Sequence, residues 1–175
     1  MELTNIREIF RNKDKFADKE VTIGGWVRSN RNSKNFGFIV VNDGTFFEPI
    51  QVVYGNGLEN YDEVGKINVG AAIIVRGTLV LTPDAKQPFE IQAAEVTVEG
   101  ASTPDYPLQK KRHTFEYLRT ISHLRPRTNT FEAVFRVRSS AHMLFTNSSR
   151  RGILCTCTHH LLQEVTVRVQ ERCSR

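Results

Sequence analysis

The residues best suited to chemistry are two aromatic rings and one amide in the first half of the chain. Phe36 and Phe38 are two positions apart in a β-rich segment, so a strand places both rings on one face. Aromatic rings on a strand stack on nucleic-acid bases for about 1–3 kcal/mol each, with little sequence preference. Gln51 carries a donor and an acceptor in one amide, enough to read one base edge. The pattern favours a surface for single-stranded nucleic acid, with burial of both rings in a core as the alternative.

Charged side chains extend this hypothesis. Arg28 and Arg31 flank the end of the first β-rich segment and could contact phosphates or a base. Glu90, in the last β-rich segment, could accept a hydrogen bond from a base amino group. The alternative is that these side chains only cover the solvent-facing side of a sheet.

Five β-rich segments must position these side chains. Turn signals such as Asn42-Asp43-Gly44 separate the segments, which are VTIGGWVRSN, FGFIVVND, EPIQVVYG, AAIIVRGTLVL and PFEIQAAEVTVEG. Thr4 is placed to cap a short helix before them, and LENYDEVGKINVG predicts another between the third and fourth. This order is typical of a mainly β, five-stranded OB-fold barrel, which we assign to residues 1–103. The Gly24-Gly25 pair supports it, because a barrel strand must bend sharply.

Two shorter regions follow the predicted barrel. Residues 104–128 are punctuated by prolines but include the helical pattern HTFEYLRTISHL, so we expect a helical hinge. Residues 129–141 have the spacing of a first helix of a second domain. The net charge is −3 for residues 1–103 and +5 for residues 104–141. The basic character that suits a nucleic acid therefore lies mainly outside the barrel.

Several classes of protein are disfavoured. No run approaches 18 apolar residues and no secretory signal opens the chain, so we expect no membrane partner and a cytoplasmic location. Neither a GxxxxGK[ST] loop nor an HExxH motif is present. Cys155, Cys157 and Cys173 occur near a His159-His160 pair, but their spacing matches no standard zinc site. We therefore assign no metal, and a zinc-bound regulatory chain remains only an alternative.

Long runs of the chain resemble the N-terminal part of bacterial asparaginyl-tRNA synthetases. The similarity extends from about residue 5 to Ala141 and is carried by GGWVRSNRNSKNFGFIVVNDGTFFEPIQVV, TPDYPLQKKRH and HLRPRTNTF. It implies a class II synthetase whose OB-fold barrel reads the anticodon loop of tRNA-Asn, followed by a hinge and the truncated start of a catalytic domain.

The resemblance also assigns roles to single residues. Phe38 matches the aromatic residue that stacks on the middle anticodon base, an unpaired uridine, and Gln51 matches the glutamine that hydrogen-bonds this base. Arg31 and Glu90 match positions that contact neighbouring anticodon bases. Arg28 is a candidate from the residue pattern alone. No residue of the chain is assigned a catalytic role.

Residues 142–175 depart from the family. With synonymous codons, a one-base shift re-reads residues 144–152 and 162–174 as runs that the family carries at this point. We therefore expect an out-of-frame tail, disordered or non-native, and no aminoacylation by this chain. The resemblance implies ATP, Mg²⁺ and a homodimer only for the complete family enzyme. A free-standing OB-fold module for single-stranded nucleic acid is the alternative function.

Overall fold

A computed structural model describes residues 3–33, 35–83 and 87–151, with side chains up to Ser148. Its elements, in chain order, are α1 Ile6–Arg11, α2 Lys13–Phe16, β1 Glu20–Asn32, β2 Phe36–Asn42, β3 Ile50–Gly55, α3 Tyr61–Val64, β4 Ala72–Leu81, β5 Phe89–Gly100, α4 Phe115–Thr120, a 3₁₀ turn Arg125–Arg127 and α5 Asn129–Arg151. One compact unit ends at Asn129 and a second begins at Thr130.

The strands form a closed barrel in the order β1-β2-β3-β5-β4. Neighbouring strands are antiparallel except β3 and β5, which are parallel. The predicted mainly β, five-stranded OB-fold is therefore confirmed, including the short helix between the third and fourth strands.

Alternation along the strands builds the core. Each strand contributes a fully buried side chain, in order Ile23, Ile39, Val52, Val75 and Ile91. Ile6 and Ile9 of α1 join the same buried cluster. Because successive side chains of a strand point to opposite faces, the neighbours of these residues face outward, where a ligand can reach them.

Gly25, one of the two glycines of β1, permits a close approach between β1 and β2. A Cβ atom here would lie 2.8 Å from the carbonyl oxygen of Asn42 on β2. The next residue, Trp26, pairs with both β2 and β4, at Asn42 and Ala72. The lack of a side chain at position 25 thus lets β1 change its pairing partner from β4 to β2 at this point.

The predicted cap of α1 is wrong. Asn5, not Thr4, is the N-cap residue, and its side chain makes no capping hydrogen bond. Asp43 Oδ2 accepts from the backbone N–H of Ile6 at 2.8 Å. The carboxylate stands at a helix N-terminus, where free N–H groups and the helix dipole favour an anion.

The first unit also includes residues 104–128, for which we expect a hinge, and within them Thr114 caps the six-residue α4. In the second unit, α5 does not end at Ala141 but continues to Arg151. Residues 142–151 contain no proline or glycine, so nothing local stops the helix at the expected boundary. Residues 152–175, including the three cysteines and the His159-His160 pair, lie outside the described residues.

Within residues 3–33, 35–83 and 87–151, none of the helices combines the length and the apolar character that a membrane span requires. In the same part of the chain, no group of three or more His, Cys, Asp or Glu side chains could hold a metal ion.

Candidate nucleic-acid interface

A groove of about 560 Å³ opens on the outer face of the barrel. It is lined by Phe10, Ser29, Arg31, Phe38, Val40, Glu48, Pro49, Gln51, Gln87, Pro88 and Phe89. Three of the five predicted site residues, Arg31, Phe38 and Gln51, are therefore in one groove. A fourth, Glu90, contacts Gln51 directly.

Phe38 forms an aromatic wall of this groove. Its ring is half-buried and meets the ring of Phe36 edge-on, with centroids 5.4 Å apart and an interplanar angle of 85°. Phe36 is 46% exposed and adds a second accessible ring beside the first. Both rings lie outside the core. Stacking on a base requires accessible rings of this kind, whereas rings with a core role would be buried.

The strand below Phe38 is held from inside the barrel. A Cβ atom at Gly37 would overlap the ring of Tyr54, so β2 lies directly on this tyrosine. The Tyr54 hydroxyl donates to Asn30 Oδ1 at 3.1 Å. Burial raises the pKa of Tyr54, and the neighbouring Tyr61 raises it further, whereas the hydrogen bond to Asn30 lowers it. The hydroxyl therefore stays protonated and donates to Asn30. The ring of Tyr54 packs under Gly37, the residue next to Phe38.

Gln51 faces the groove from β3. Its Nε2 donates to Glu90 Oε2 on β5 at 3.3 Å. The β3 and β5 strands are parallel neighbours, paired at Val52 with Ile91, which places the two side chains on adjacent strands of one face. The amide and the carboxylate therefore lie side by side on one face of the barrel.

Arg31 supplies the positive charge of the groove. Among the described residues its guanidinium makes no ion pair with a carboxylate. Its Cα atom pairs with that of Phe38 across the β1–β2 ladder. The cation is thus available to a phosphate or a base at the place where a base would stack.

Arg28 is not part of this groove. The β1–β2 register shifts between Val27 and Ser29, which makes Arg28 the extra residue of a β-bulge. Its guanidinium donates to the carbonyl of Arg127 in the hinge and to Oδ1 of Asn129, the first residue of α5. The expected contact with nucleic acid therefore lacks support from its position, because two partners within the protein already use its donors.

Several lining residues escaped the sequence reasoning. Ser29 lies two positions before Arg31, so period-two alternation could have identified it. Glu48 and Pro49 come just before the strand of Gln51 and could have been found as its loop. Gln87 and Pro88 precede β5 and reach the groove through the barrel closure, which no local pattern reveals.

The chain matches a family model and known proteins. The tRNA anticodon family, described as an OB-fold nucleic acid binding domain, matches residues 21–99. An asparagine–tRNA ligase of Alkaliphilus oremlandii is 59% identical over 157 residues, covering 87% of this chain and 33% of the relative. One from Clostridium beijerinckii is 61% identical over 136 residues, covering 78% of this chain and 29% of the relative. The chain thus spans about a third of the length of these curated relatives.

A solved structure supports the same fold. The asparaginyl-tRNA synthetase of Pyrococcus horikoshii, complexed with asparaginyl-adenylate, superposes with a TM-score of 0.76 at 22% identity. The match covers 87% of this chain and 35% of that chain, and it establishes the fold. Residues 21–99 are therefore an OB-fold domain of the tRNA anticodon family, and the chain is homologous to the N-terminal part of the bacterial asparagine–tRNA ligases.

Proposed function

We propose that the outer groove of the barrel binds the anticodon loop of tRNA-Asn. One observation carries the proposal: the ring of Phe38, the amide of Gln51 and the guanidinium of Arg31 line the same groove. Stacking, base-edge recognition and phosphate contact are the three interactions that single-stranded RNA recognition needs. The homology to asparagine–tRNA ligases supports this particular RNA as the ligand.

Each groove residue has a distinct role in this proposal. Phe38 stacks on the middle anticodon base, and Gln51 hydrogen-bonds the edge of that base. Arg31, directly opposite Phe38, contacts a neighbouring phosphate or base. Glu90, which accepts from Gln51, contacts a neighbouring anticodon base. Arg28 belongs to the contact between barrel and hinge instead.

The family reaction joins asparagine to tRNA-Asn with ATP and Mg²⁺, and we assign this chain only the recognition part of that reaction. The described residues hold no metal-binding group of three or more His, Cys, Asp or Glu side chains. We derive no catalytic step from these residues. A homodimer belongs to the proposal for the complete family enzyme alone.

A general single-strand binding module is the second candidate. The observation in its favour is the exposed ring of Phe36 beside Phe38, since two adjacent rings stack on bases of any sequence. The two candidates differ in what they require of the loop sequence, because only anticodon recognition depends on the identity of the stacked base.

Fluorescence anisotropy with the full chain tests the proposal. The probe is a labelled tRNA-Asn anticodon stem-loop, and the competitor has the same stem with a scrambled loop. We expect the native loop to bind at least about tenfold more tightly than the scrambled loop, because correct hydrogen bonding to one base contributes about this factor in affinity. Affinity should fall as salt increases, since bound phosphates release counterions. Equal competition by the scrambled loop would favour the general module.

We also propose that the composition changes after Ala141 because the reading frame shifts there. All three cysteines follow this point, whereas no lysine occurs after Lys111. Resequencing the gene through the codons of residues 139–144 tests this. A missing base relative to the frame of the curated relatives is expected, and an intact frame there would refute the proposal.

A further inference from the structure

Helix α1 forms one wall of the groove. Its Ile6 and Ile9 side chains are fully buried in the barrel core, which fixes the helix against the strands. Phe10, on the next flank of the helix, lines the groove and stacks on Phe46 with ring centroids 4.6 Å apart. An RNA strand bound in the groove would therefore pass beside α1.

The flank of α1 beyond Phe10 carries two exposed arginines, Arg7 and Arg11. At about 100° of rotation per residue, Arg7 lies about 60° and Arg11 about 100° around the helix from Phe10, in the direction away from the core. The acidic side chain of this helix, Glu8, lies about 160° from Phe10, on the far flank. Arg7 and Arg11 thus place two cations, one helical turn apart, on the rim of the groove.

This rim lies beyond the other end of β2 from Arg31. Arg31 pairs with Phe38 near the start of β2, whereas Asn42 ends the strand about 13 Å further along. The turn after β2 holds the start of α1, since Thr45 Oγ1 accepts from the backbone N–H of Arg7 at 3.1 Å. Positive charge therefore stands at both ends of the groove.

The rest of the barrel supplies little positive charge for an RNA. Residues 20–103 carry six basic and ten acidic side chains, and the groove itself is lined by Glu48 as well as Arg31. Residues 3–19, which contain α1, carry five basic and three acidic side chains. Because phosphate contacts supply a large share of the affinity for a nucleic acid, this N-terminal segment is where the barrel can provide them.

We propose that Arg7 and Arg11 bind the sugar–phosphate backbone of the RNA strand where it leaves the groove. The inference rests on the proposed function, because the strand is that of the bound anticodon stem-loop. Guanidinium groups suit phosphates, to which they donate paired, charge-assisted hydrogen bonds. Such contacts hold the strand in place without reading its bases.

Contacts within the protein leave both guanidinium groups available. Among the described residues neither forms an ion pair, in contrast to Arg76, which pairs with Glu20. Arg7 lies in the first turn of its helix, where the dipole disfavours a cation, so its charge does not stabilise α1. Replacing both arginines by glutamine, which has a similar helix propensity, should leave the barrel folded.

The test measures binding of the tRNA-Asn anticodon stem-loop at several salt concentrations, to the parent and to the double variant Arg7→Gln/Arg11→Gln. We expect the slope of log affinity against log salt to fall by about one to two, and the affinity at low salt to fall about tenfold or more, because two phosphate contacts are lost. The ratio of affinities for the native and the scrambled loop should stay that of the parent. The control, Lys66→Gln/Arg119→Gln, removes two exposed cations outside α1 and the groove and should keep the parent slope.

The outcomes separate this inference from the proposed function. An unchanged slope in the arginine variant, or an equal decrease in the control, would overturn the backbone contact while leaving anticodon binding in place. A smaller ratio of native to scrambled affinity in the arginine variant would also overturn it, because it would show that these arginines read bases. If the parent itself binds both loops equally, the proposed function fails, whatever the slopes.

Discussion

Arg31 and Phe38 lie directly opposite each other in the β1–β2 ladder. A cation and an aromatic ring consequently share one face of the barrel, so that a base stacked on Phe38 would bring its own phosphate close to Arg31. Arg28, three positions earlier, is the extra residue of a bulge and bonds the hinge instead. The two arginines of this strand thus differ in position: Arg31 lines the groove that we propose binds RNA, whereas Arg28 donates hydrogen bonds to Arg127 and Asn129.

The first prediction concerns the aromatic wall. Phe38→Ala should weaken binding of the tRNA-Asn anticodon stem-loop by about 1–3 kcal/mol, the usual contribution of one base–aromatic stack. Phe47 is a matched control, because it is 45% exposed and does not line the groove. Anisotropy titrations should show a large loss for Phe38→Ala and almost none for Phe47→Ala. Equal affinities of the two variants would contradict the stacking role.

The second prediction separates the two arginines. Arg31→Gln should reduce the slope of log affinity against log salt by about one, because one phosphate contact is lost. Arg28→Gln should leave the slope unchanged, since its guanidinium bonds Arg127 and Asn129. Titrations at several salt concentrations measure both slopes. A reduced slope for Arg28→Gln alone would reverse the assignment.

A third prediction concerns the contact between hinge and barrel, which centres on Arg127. Its guanidinium lies over the ring of Trp26, 5.0 Å from the centroid, and donates to the hydroxyl of Tyr106 at 3.2 Å. Tyr106 in turn packs on Gly70, which has a φ of +90° and where a Cβ atom would lie 2.8 Å from the ring. These contacts attach both ends of the hinge to one side of the barrel.

Arg127→Ala should therefore loosen the hinge. We expect faster amide exchange in residues 104–128 and a shift in the emission of Trp26, the single tryptophan of the chain. An exposed cation–π contact contributes about 0.5–1 kcal/mol, so the barrel should remain folded. Arg119→Ala, on the exposed side of α4, is the control. Unchanged exchange and emission in Arg127→Ala would show that the stack does not hold the hinge.

The fourth prediction follows from the raised pKa of Tyr54. Because the folded state holds this proton more tightly than the unfolded chain, the stabilising effect is complete below about pH 10 and is lost as the pH rises through the folded value. Tyr54→Phe should remove this part of the alkaline loss. At neutral pH it should cost about 1 kcal/mol, the net value of its hydrogen bond to Asn30.

Urea unfolding at pH 8 and pH 10.5 measures both effects of Tyr54→Phe. Tyr117, whose side chain is exposed, provides the matched control as Tyr117→Phe. The free energy of unfolding should fall less between the two pH values in Tyr54→Phe than in the parent or the control. The same alkaline loss in all three proteins would contradict a role for Tyr54.

Local patterns were enough to predict the strands, because apolar alternation is set by the core that each strand faces. The same patterns also assigned Phe38 and Gln51 to one binding surface, and both side chains line the groove. The cap of α1 was not predictable in this way, since Asp43 comes from a turn 37 positions further along the chain. The position of Arg28 was not predictable either, because the sequence around it carries no signal for the bulge between Val27 and Ser29. Contacts that depend on barrel closure, such as Gln51 with Glu90, need the fold itself.

Photocrosslinking tests the central claim most directly. A tRNA-Asn anticodon stem-loop with 5-iodouridine at the middle position, irradiated in complex with the full chain, should crosslink to the aromatic ring on which that base stacks. We expect mass spectrometry to locate the adduct at Phe38, and the Phe38→Leu variant to lose it. An adduct located in the hinge, or one that persists unchanged in Phe38→Leu, would contradict the account.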